Sequence, residues 1–487
     1  MRKSGILMHI SSLPSPYGIG TLGASSRNFI DFLASAGQSF WQVLPVSPTG
    51  FGDSPYQSFS SYAGNPYFID LDLLSGEGYL NPDEYRHINW GENSEQVDYG
   101  MLYSERFKVL EIAAGRLIEK SCIDFDRFCM ENASWLEDYA LFMALKDEKS
   151  GVAWASWERE YRFRDSAVIA AARTRLAEKL EFYKAVQFFF HKQWLDMKAY
   201  ANSCGIEIIG DIPIYVSPDS ADVWTYPEFF RLDEELQPLD VAGCPPDSFT
   251  ADGQLWGNPL YNWEALKAHD YDWWVRRIDK QFHLFDLLRI DHFRGLDSFY
   301  AIPADAENAR RGIWHKGPGM ELFKALGSRR IIAEDLGFLT ASVRRLLADS
   351  EYPGMKVLQF AFDGTASDYL PHNIIQNCVA YTGTHDNSTL RGWLESPENV
   401  SEVENAKKYL RIRDDDDAVE SILTTLLSSV ADLTIISMQD LLRLDDSARM
   451  NTPGENFGNW QWRMNPGVRL DSIAEWLKDA AMLYGRL

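Results

Sequence analysis

The chain has 487 residues, of which 45% are hydrophobic and 24% charged, and its formal net charge at pH 7 is −24. This composition is typical of a folded protein with one large domain or two to three smaller ones. The negative charge disfavours nucleic acid and anionic membranes as partners, because both are bound through Lys and Arg. A neutral or cationic small partner is more compatible.

The five cysteines are scattered and form no C-x-x-C pair, which favours reduced thiols over a disulfide framework. The apolar run in "MRKSGILMHISSLP" is too short for a signal peptide or a membrane span. We therefore expect a cytoplasmic protein with no membrane partner. The sequence leaves the oligomeric state open.

Short apolar runs rich in β-branched residues recur along the whole chain. Continuous runs of this kind are typical of strands that are buried on both faces of a parallel sheet. We predict strands at 5–10, 40–46, 206–214, 284–291, 330–336, 355–362, 377–386 and 433–440.

Several of the intervening segments have the apolar spacing of amphipathic helices. We predict helices at 26–37, 180–205 and 340–350, with Gly37 ending the first and Thr340 capping the third. Eight strands alternating with helices predict a protein of the α/β class with a (β/α)₈ TIM barrel.

Two connections are too long for simple crossovers, and they follow the second and third strands. Residues 51–180 begin with a loop rich in Gly, Ser, Pro and Tyr and continue as mostly helical sequence. Residues 215–270 are rich in Pro, Gly, Asp and Trp. We predict a barrel formed by 1–50 and 180–487, with 215–270 as an active-site loop insertion and 51–180 as a mostly helical insertion subdomain.

Acidic residues lie at the carboxyl ends of four of the predicted strands. These ends carry Asp211, then Arg289 and Asp291, then Glu334 and Asp335, and finally His385 and Asp386. A helix cap or loop carboxylate would explain each acid taken alone. In a barrel, however, the carboxyl ends of all strands meet at one mouth, where active sites form.

A mouth lined by carboxylates suggests glycosyl transfer. One carboxylate attacks the anomeric carbon while a second acid protonates the leaving oxygen. Arg289 lies two residues before Asp291, so both side chains point to the same face, and its charge would keep Asp291 ionised.

The rival interpretation is a metal site, because His292 and His385 lie beside acids. The chain contains no H-x-H or H-E-x-x-H motif, and no phosphate-binding loop. We therefore expect no metal and no cofactor.

Motifs along essentially the whole chain resemble those of the amylomaltases, the 4-α-glucanotransferases of glycoside hydrolase family 77 in the α-amylase clan. They are "GILMHISSLPSPYGIGTLG", "FWQVLPVSPTGFGDSPYQSFSSYAGNPYFIDL", "GDIPIYV", "PLYNW", "LRIDHFRG", "AEDLG", "YTGTHDN" and "ENFGNWQWRM". The resemblance implies transfer of α-1,4-glucan segments between malto-oligosaccharides by a retaining double displacement.

The resemblance also implies roles for three carboxylates. Asp291 matches the catalytic nucleophile, and Glu334 matches the general acid/base. Asp386 matches the acid that binds the 2- and 3-hydroxyls of the donor sugar.

Five further residues are implied to bind substrate or to support the carboxylates. Arg289 and His385 match groups that orient the nucleophile and the donor sugar, and Asp211 matches a supporting acid. Tyr56 looks like the ring that stacks on the donor glucose, and Trp256 lies in a loop that in the family arches over the glucan.

The sequence departs from its relatives in places. The arching loop of amylomaltases usually carries a Tyr-Phe pair, but this chain has Ser248-Phe249. No His follows Asp211 closely, which differs from the wider α-amylase clan but resembles the amylomaltases. Nothing resembles the trailing β-sandwich or the calcium site of α-amylases. Two alternatives stay open: an α-1,4-glucan hydrolase on the same scaffold, and a glucan-binding barrel without catalysis.

Overall fold

The computed structural model describes residues 2–50, 52–246, 252–337, 339–364, 367–413, 416–455 and 457–487. Within these residues the strands are β1 (Lys3–Leu7), β2 (Phe40–Gln42), β3 (Glu207–Pro213), β4 (Asp240–Cys244), β5 (Gln254–Pro259), β6 (Leu287–Asp291), β7 (Ser298–Pro303), β8 (Ile313–Lys316), β9 (Ile331–Ala333), β10 (Gly354–Val357), β11 (Cys378–Tyr381) and β12 (Leu433–Ser437).

The helices of the same residues are α1 (Ala24–Ser35), α2 (Leu71–Gly76), α3 (Tyr99–Glu119), α4 (Ile123–Glu131), α5 (Ala133–Glu148), α6 (Arg159–Arg162), α7 (Ser166–Arg175), α8 (Ala177–Ser203), α9 (Ala221–Thr225), α10 (Trp263–Ala268), α11 (Asp272–Leu284), α12 (Met320–Leu326), α13 (Ala341–Ser350), α14 (Leu390–Glu395), α15 (Val400–Leu410), α16 (Ala418–Ser428), α17 (Met438–Leu441) and α18 (Asp471–Leu483). Across the described ranges, every helix is too short or too polar to cross a bilayer.

Parallel strands close into a barrel in the order β1-β12-β11-β10-β9-β6-β3-β2. This confirms the predicted (β/α)₈ barrel, and each predicted strand overlaps one barrel strand. Ile435 and Ile436 on β12 are both fully buried. Because neighbouring strand residues point to opposite faces, both faces of the strand are covered, as the continuous apolar runs indicated.

Several strands end earlier than predicted. The run 40–46 forms a strand only at Phe40–Gln42, and Pro45 within the remainder has no N–H to donate to a neighbouring strand. The run 355–362 leaves the sheet after Val357, where Leu358–Ala361 turns into a short 3₁₀ helix.

The three predicted helices are confirmed with small shifts of their ends. The 26–37 segment forms α1, and Gly37 follows it with a φ of 66°. The left-handed region suits a residue without a Cβ, so glycine can end the helix there. Thr340 caps α13 by accepting a hydrogen bond from the backbone N–H of Val343 at 3.4 Å.

A second, antiparallel sheet was not predicted. Its strands are ordered β5-β4-β7-β8. β4 and β5 come from the connection after β3, whereas β7 and β8 follow β6. Two separate excursions from the carboxyl end of the barrel therefore pair with each other beside the mouth.

The connection between β2 and β3 is mainly helical and contains α2 to α8. We retain the division into a barrel and a helical insertion subdomain as a proposal. The proposed boundary at residue 180 falls inside α8, which continues as one helix from Ala177 to Ser203. The insertion therefore leads into the barrel without a flexible linker.

Candidate active site

The predicted acids lie at or just beyond the carboxyl ends of barrel strands. Asp211 lies on β3, Asp291 is the last residue of β6, and Glu334 follows β9 directly. These three strands are neighbours in the barrel, in the order β9-β6-β3. Asp386 follows β11 across the same mouth.

Arg289 joins two of these carboxylates. Its Nη1 donates to both carboxylate oxygens of Asp211 at 2.8 and 2.6 Å, and its Nη2 donates to Oδ1 of Asp291 at 2.8 Å. The side chain of Asp211 is fully buried and that of Arg289 is 4% exposed, whereas that of Asp291 is 30% exposed. Arg289 therefore connects the buried carboxylate of Asp211 to the partly exposed carboxylate of Asp291, which faces the open mouth.

Tyr56 adds an aromatic ring to this hydrogen-bonded network. Its hydroxyl donates to Oδ2 of Asp211 at 2.7 Å. Burial, reinforced by the charge of Asp211, raises the pKa of Tyr56 far above its ordinary value, so the phenol stays protonated. Its ring stacks on His385 at 5.1 Å, and Trp460 packs against both rings at 5.8 Å.

Glu334 is fixed by backbone donors. The N–H of His292 donates to Oε2 at 2.7 Å, and the N–H of Leu336 donates to Oε1 at 2.8 Å. Burial, with the nearby charge of Asp291 adding to it, raises the pKa of Glu334 to about 7. A carboxyl group with this pKa can both give and take a proton near neutral pH.

The amide that holds Glu334 comes from an uncommon turn. His292 follows Asp291 directly and adopts a left-handed conformation, with φ 53° and ψ 48°. Its ring packs edge-on against Trp256 of β5 at 4.8 Å. The second sheet thus contacts the residue that positions the acid/base candidate.

Asp386 is held from a different direction. Its Oδ1 accepts a hydrogen bond from Nδ2 of Asn451 at 2.6 Å, and Nε2 of His385 lies 3.3 Å from the same oxygen. Arg449 donates from Nη2 to the backbone carbonyl of Asp386 at 2.6 Å. The side chain of Asp386 remains 42% exposed, so part of it faces the mouth.

The structure thus brings most of the predicted site residues together. Those joined by direct contacts are Tyr56, Asp211, Arg289, Asp291, His385 and Asp386. Glu334 and Trp256 are linked to them through His292.

One acid that we expected at the mouth lies elsewhere, and one predicted pair lies outside the described residues. Asp335 does not face the mouth: its buried carboxylate accepts a hydrogen bond from the backbone N–H of Met355 at 2.6 Å, which ties the end of β9 to β10. Ser248 and Phe249 lie outside the described residues.

Sequence reasoning did not identify Asn451 and Trp460 as site residues. Trp460 lies within the quoted motif "ENFGNWQWRM", and Asn451 lies shortly before it. A Trp preceded by Gly and Asn could have suggested an aromatic contact. The hydrogen bond from Asn451 to Asp386 joins residues far apart in the chain and leaves no local signal.

The histidines of the rival metal hypothesis have different neighbours. His292 packs on Trp256, and burial lowers its pKa to about 4, whereas His385 stacks on Tyr56. Within the part of the chain that the structure describes, no three His, Cys, Asp or Glu side chains are grouped so that they could hold a metal ion.

Comparisons with known proteins agree with this geometry. A family model described as 4-alpha-glucanotransferase matches residues 8–470. The 4-alpha-glucanotransferase of Clostridium butyricum is 45% identical over 98% of this chain and 100% of its own. That of Thermus thermophilus is 44% identical over 97% of this chain and 98% of its own.

Solved structures give the same result. The amylomaltase from Streptococcus agalactiae, in complex with acarbose, is 43% identical and covers all of both chains with a TM-score of 0.97. The amylomaltase from Corynebacterium glutamicum, at 19% identity and a TM-score of 0.79, covers all of this chain and 75% of its own and shares the fold. The family model, the relatives and the barrel together show that this chain belongs to the 4-α-glucanotransferases of glycoside hydrolase family 77.

Proposed function

We propose that this enzyme performs its 4-α-glucanotransferase reaction on malto-oligosaccharides and other α-1,4-glucans through Asp291, Glu334 and Asp386. The observation that carries the proposal is the pairing of Asp291, held by Arg289, with Glu334, whose pKa is raised to about 7. Retaining transfer needs one ionised carboxylate and one carboxylic acid at the same bond.

In the first step, Asp291 forms a bond to the anomeric carbon of the donor sugar. Arg289 occupies Oδ1 of Asp291 and fixes its orientation, so we assign the attack to Oδ2. The glycosidic bond to the leaving 4-oxygen breaks, and Glu334 gives that oxygen its proton. The products are a glycosyl ester on Asp291 and a shortened glucan with a free 4-hydroxyl.

In the second step, the ionised Glu334 takes the proton of an acceptor's 4-hydroxyl. The acceptor oxygen bonds to the anomeric carbon while the bond to Asp291 breaks, which restores both carboxyl groups. A pKa near 7 suits this alternation, because neither state of Glu334 is costly at neutral pH.

The remaining residues bind and orient the sugar. We assign Asp386 to the 2- and 3-hydroxyls of the donor sugar, Tyr56 and His385 to its ring, and Trp256 to the glucan that passes over the mouth. Asp211 supports the site through Arg289 and Tyr56. Acarbose, with which the Streptococcus agalactiae relative forms a complex, should bind the same mouth.

Product analysis with maltotriose as the sole substrate tests the proposal. We expect glucose and a ladder of longer oligosaccharides, without a matching rise in total reducing ends. Reducing ends that climb while only glucose and maltose form would indicate hydrolysis. An Asp291→Asn variant that retains full turnover would remove the assignment of the nucleophile.

The two alternatives receive less support. The relatives are named as transferases, which does not favour a hydrolase. A barrel without catalysis has no need of a carboxyl group with a pKa of about 7 beside an Arg-anchored Asp. A cytoplasmic location stays a prediction from the sequence.

A further inference from the structure

The loop 451–460 has both ends fixed on the active site. At one end, the backbone N–H of Asn451 donates to the carbonyl of His385 at 3.0 Å, and its side chain donates to Asp386 at 2.6 Å. At the other end, Trp460 packs against Tyr56 and His385 at 5.8 Å. The position of the loop is therefore tied to the donor-sugar side of the mouth.

Internal hydrogen bonds shape the same loop. The side chain of Asn459 accepts from the N–H of Thr452 at 2.9 Å and donates to the carbonyl of Glu455 at 2.9 Å. The N–H of Glu455 donates to the carbonyl of Thr452 at 3.1 Å. Gly454 and Gly458 take left-handed φ values of 89° and 82°. These contacts hold the described residues of the loop together at its base.

Phe457 lies between Glu455 and Asn459 in the chain and is 84% exposed, more than any other large hydrophobic side chain in the described ranges. It makes no ring contact with another described aromatic residue. Phe457 lies three positions before Trp460 in the chain, which limits the distance between their Cα atoms to about 11 Å. An exposed flat apolar ring is therefore tethered within about 11 Å, Cα to Cα, of a ring that packs on Tyr56 and His385.

We propose that Phe457 is a glucan-contact residue that stacks on the transferred segment, next to the sugar bound by Tyr56. This inference rests on the proposed function. A glucose ring has an apolar face of C–H groups and a rim of hydroxyls. A flat exposed ring can therefore cover that face and leave the hydroxyls in water, as aromatic side chains do elsewhere. The loop that carries Phe457 contacts Asp386 through Asn451 and the Tyr56 and His385 rings through Trp460. These residues are assigned to the donor sugar, so Phe457 selects for the length of the donor.

The test compares donors of different length. Initial rates of transfer to labelled glucose are measured with maltoheptaose and with maltotriose as donors. For Phe457→Ala we expect the ratio of kcat/KM for the long donor to that for the short donor to fall about three- to tenfold. The change should appear in the KM for maltoheptaose. A thermal scan shows that the variant is folded.

Two matched variants make the result decisive. Phe457→Tyr keeps the flat ring and should keep the ratio. Ile123→Ala removes another side chain, one that is 77% exposed on α4, and should leave the ratio unchanged. An unchanged ratio in Phe457→Ala, or an equal fall in Phe457→Tyr, would overturn the inference. A wild-type enzyme that makes no longer oligosaccharides from maltotriose would overturn the proposed function as well.

Discussion

Replacing Arg289 by Met separates the contribution of this residue to folding from its contribution to catalysis. The substitution keeps an apolar chain but removes the cation between Asp211 and Asp291. Burial already raises the pKa of Asp211, and the charge of Arg289 opposes that rise. Without Arg289 the fully buried carboxyl group of Asp211 loses the largest charge that opposes its desolvation.

The size of the effect follows from this burial. Removing one partner of a buried ion pair typically costs about 3–5 kcal/mol of unfolding free energy. A chain of 487 residues gains roughly 1 kcal/mol of unfolding entropy per kelvin, so Tm should fall by about 3–5 °C. The rate of transfer should fall about 100-fold or more, because Asp291 loses the 2.8 Å bond that orients it.

Two comparison variants distinguish folding from catalysis. In Arg289→Met combined with Asp211→Asn, the buried charge is absent, so stability should return to within about 2 kcal/mol of wild type while the rate stays low. Arg486 is also buried, but it binds the carbonyls of Lys3 and Ala431 at the amino end of the barrel. Arg486→Met should lower Tm while transfer at 25 °C stays near wild type.

Calorimetry and initial rates of maltotriose disproportionation measure the two effects. The reasoning is refuted if Arg289→Met keeps the wild-type Tm and rate. It is equally refuted if the double variant recovers the rate together with stability, because Arg289 would then act through folding alone.

Three further predictions concern the groups around the mouth. Transfer by the wild-type enzyme should decline as pH rises through about 7, since the first step needs protonated Glu334. Glu334→Gln should lower the rate about 10²–10⁴-fold. A pH–rate profile in which this variant keeps the same decline would contradict the assignment. Asn451→Ala removes the 2.6 Å hydrogen bond to Asp386, so kcat/KM for maltotriose should fall about 10- to 100-fold. If the variant keeps wild-type kinetics, Asp386 needs no such support. Trp256→Ala removes the ring packed on His292, which should reduce kcat/KM about three- to tenfold. A loss of stability without a change in rate would count against a role of Trp256 in positioning His292.

The barrel was predictable because its strands are buried on both faces and therefore form continuous apolar runs. The second sheet was not, because β5 and β8 lack such runs, although β7 has a short one. Residues 313–316 of β8 are mostly exposed, and β4 and β5 lie in a segment rich in Gly and Pro. Pairing between two distant excursions is a tertiary effect that local patterns do not record.

The contacts of the site likewise divide into those that the sequence could predict and those that it could not. Arg289 and Asp291 lie two residues apart on one strand, so their shared direction follows from strand geometry alone. The hydrogen bond from Asn451 to Asp386 depends on how a loop folds back over the mouth. The backbone N–H groups that hold Glu334 are present in almost every residue, so no residue type could have signalled them.

The backbone donors of Glu334 also affect how the enzyme tolerates sequence drift. Substitution at Leu336 leaves its amide in place unless proline is introduced. At His292 the left-handed turn narrows the choice further, to residues such as Gly, Asn or Asp that adopt it easily. On the Leu336 side the acid/base is therefore insulated from most heritable substitutions, whereas the nucleophile depends on a single guanidinium that one codon change can remove.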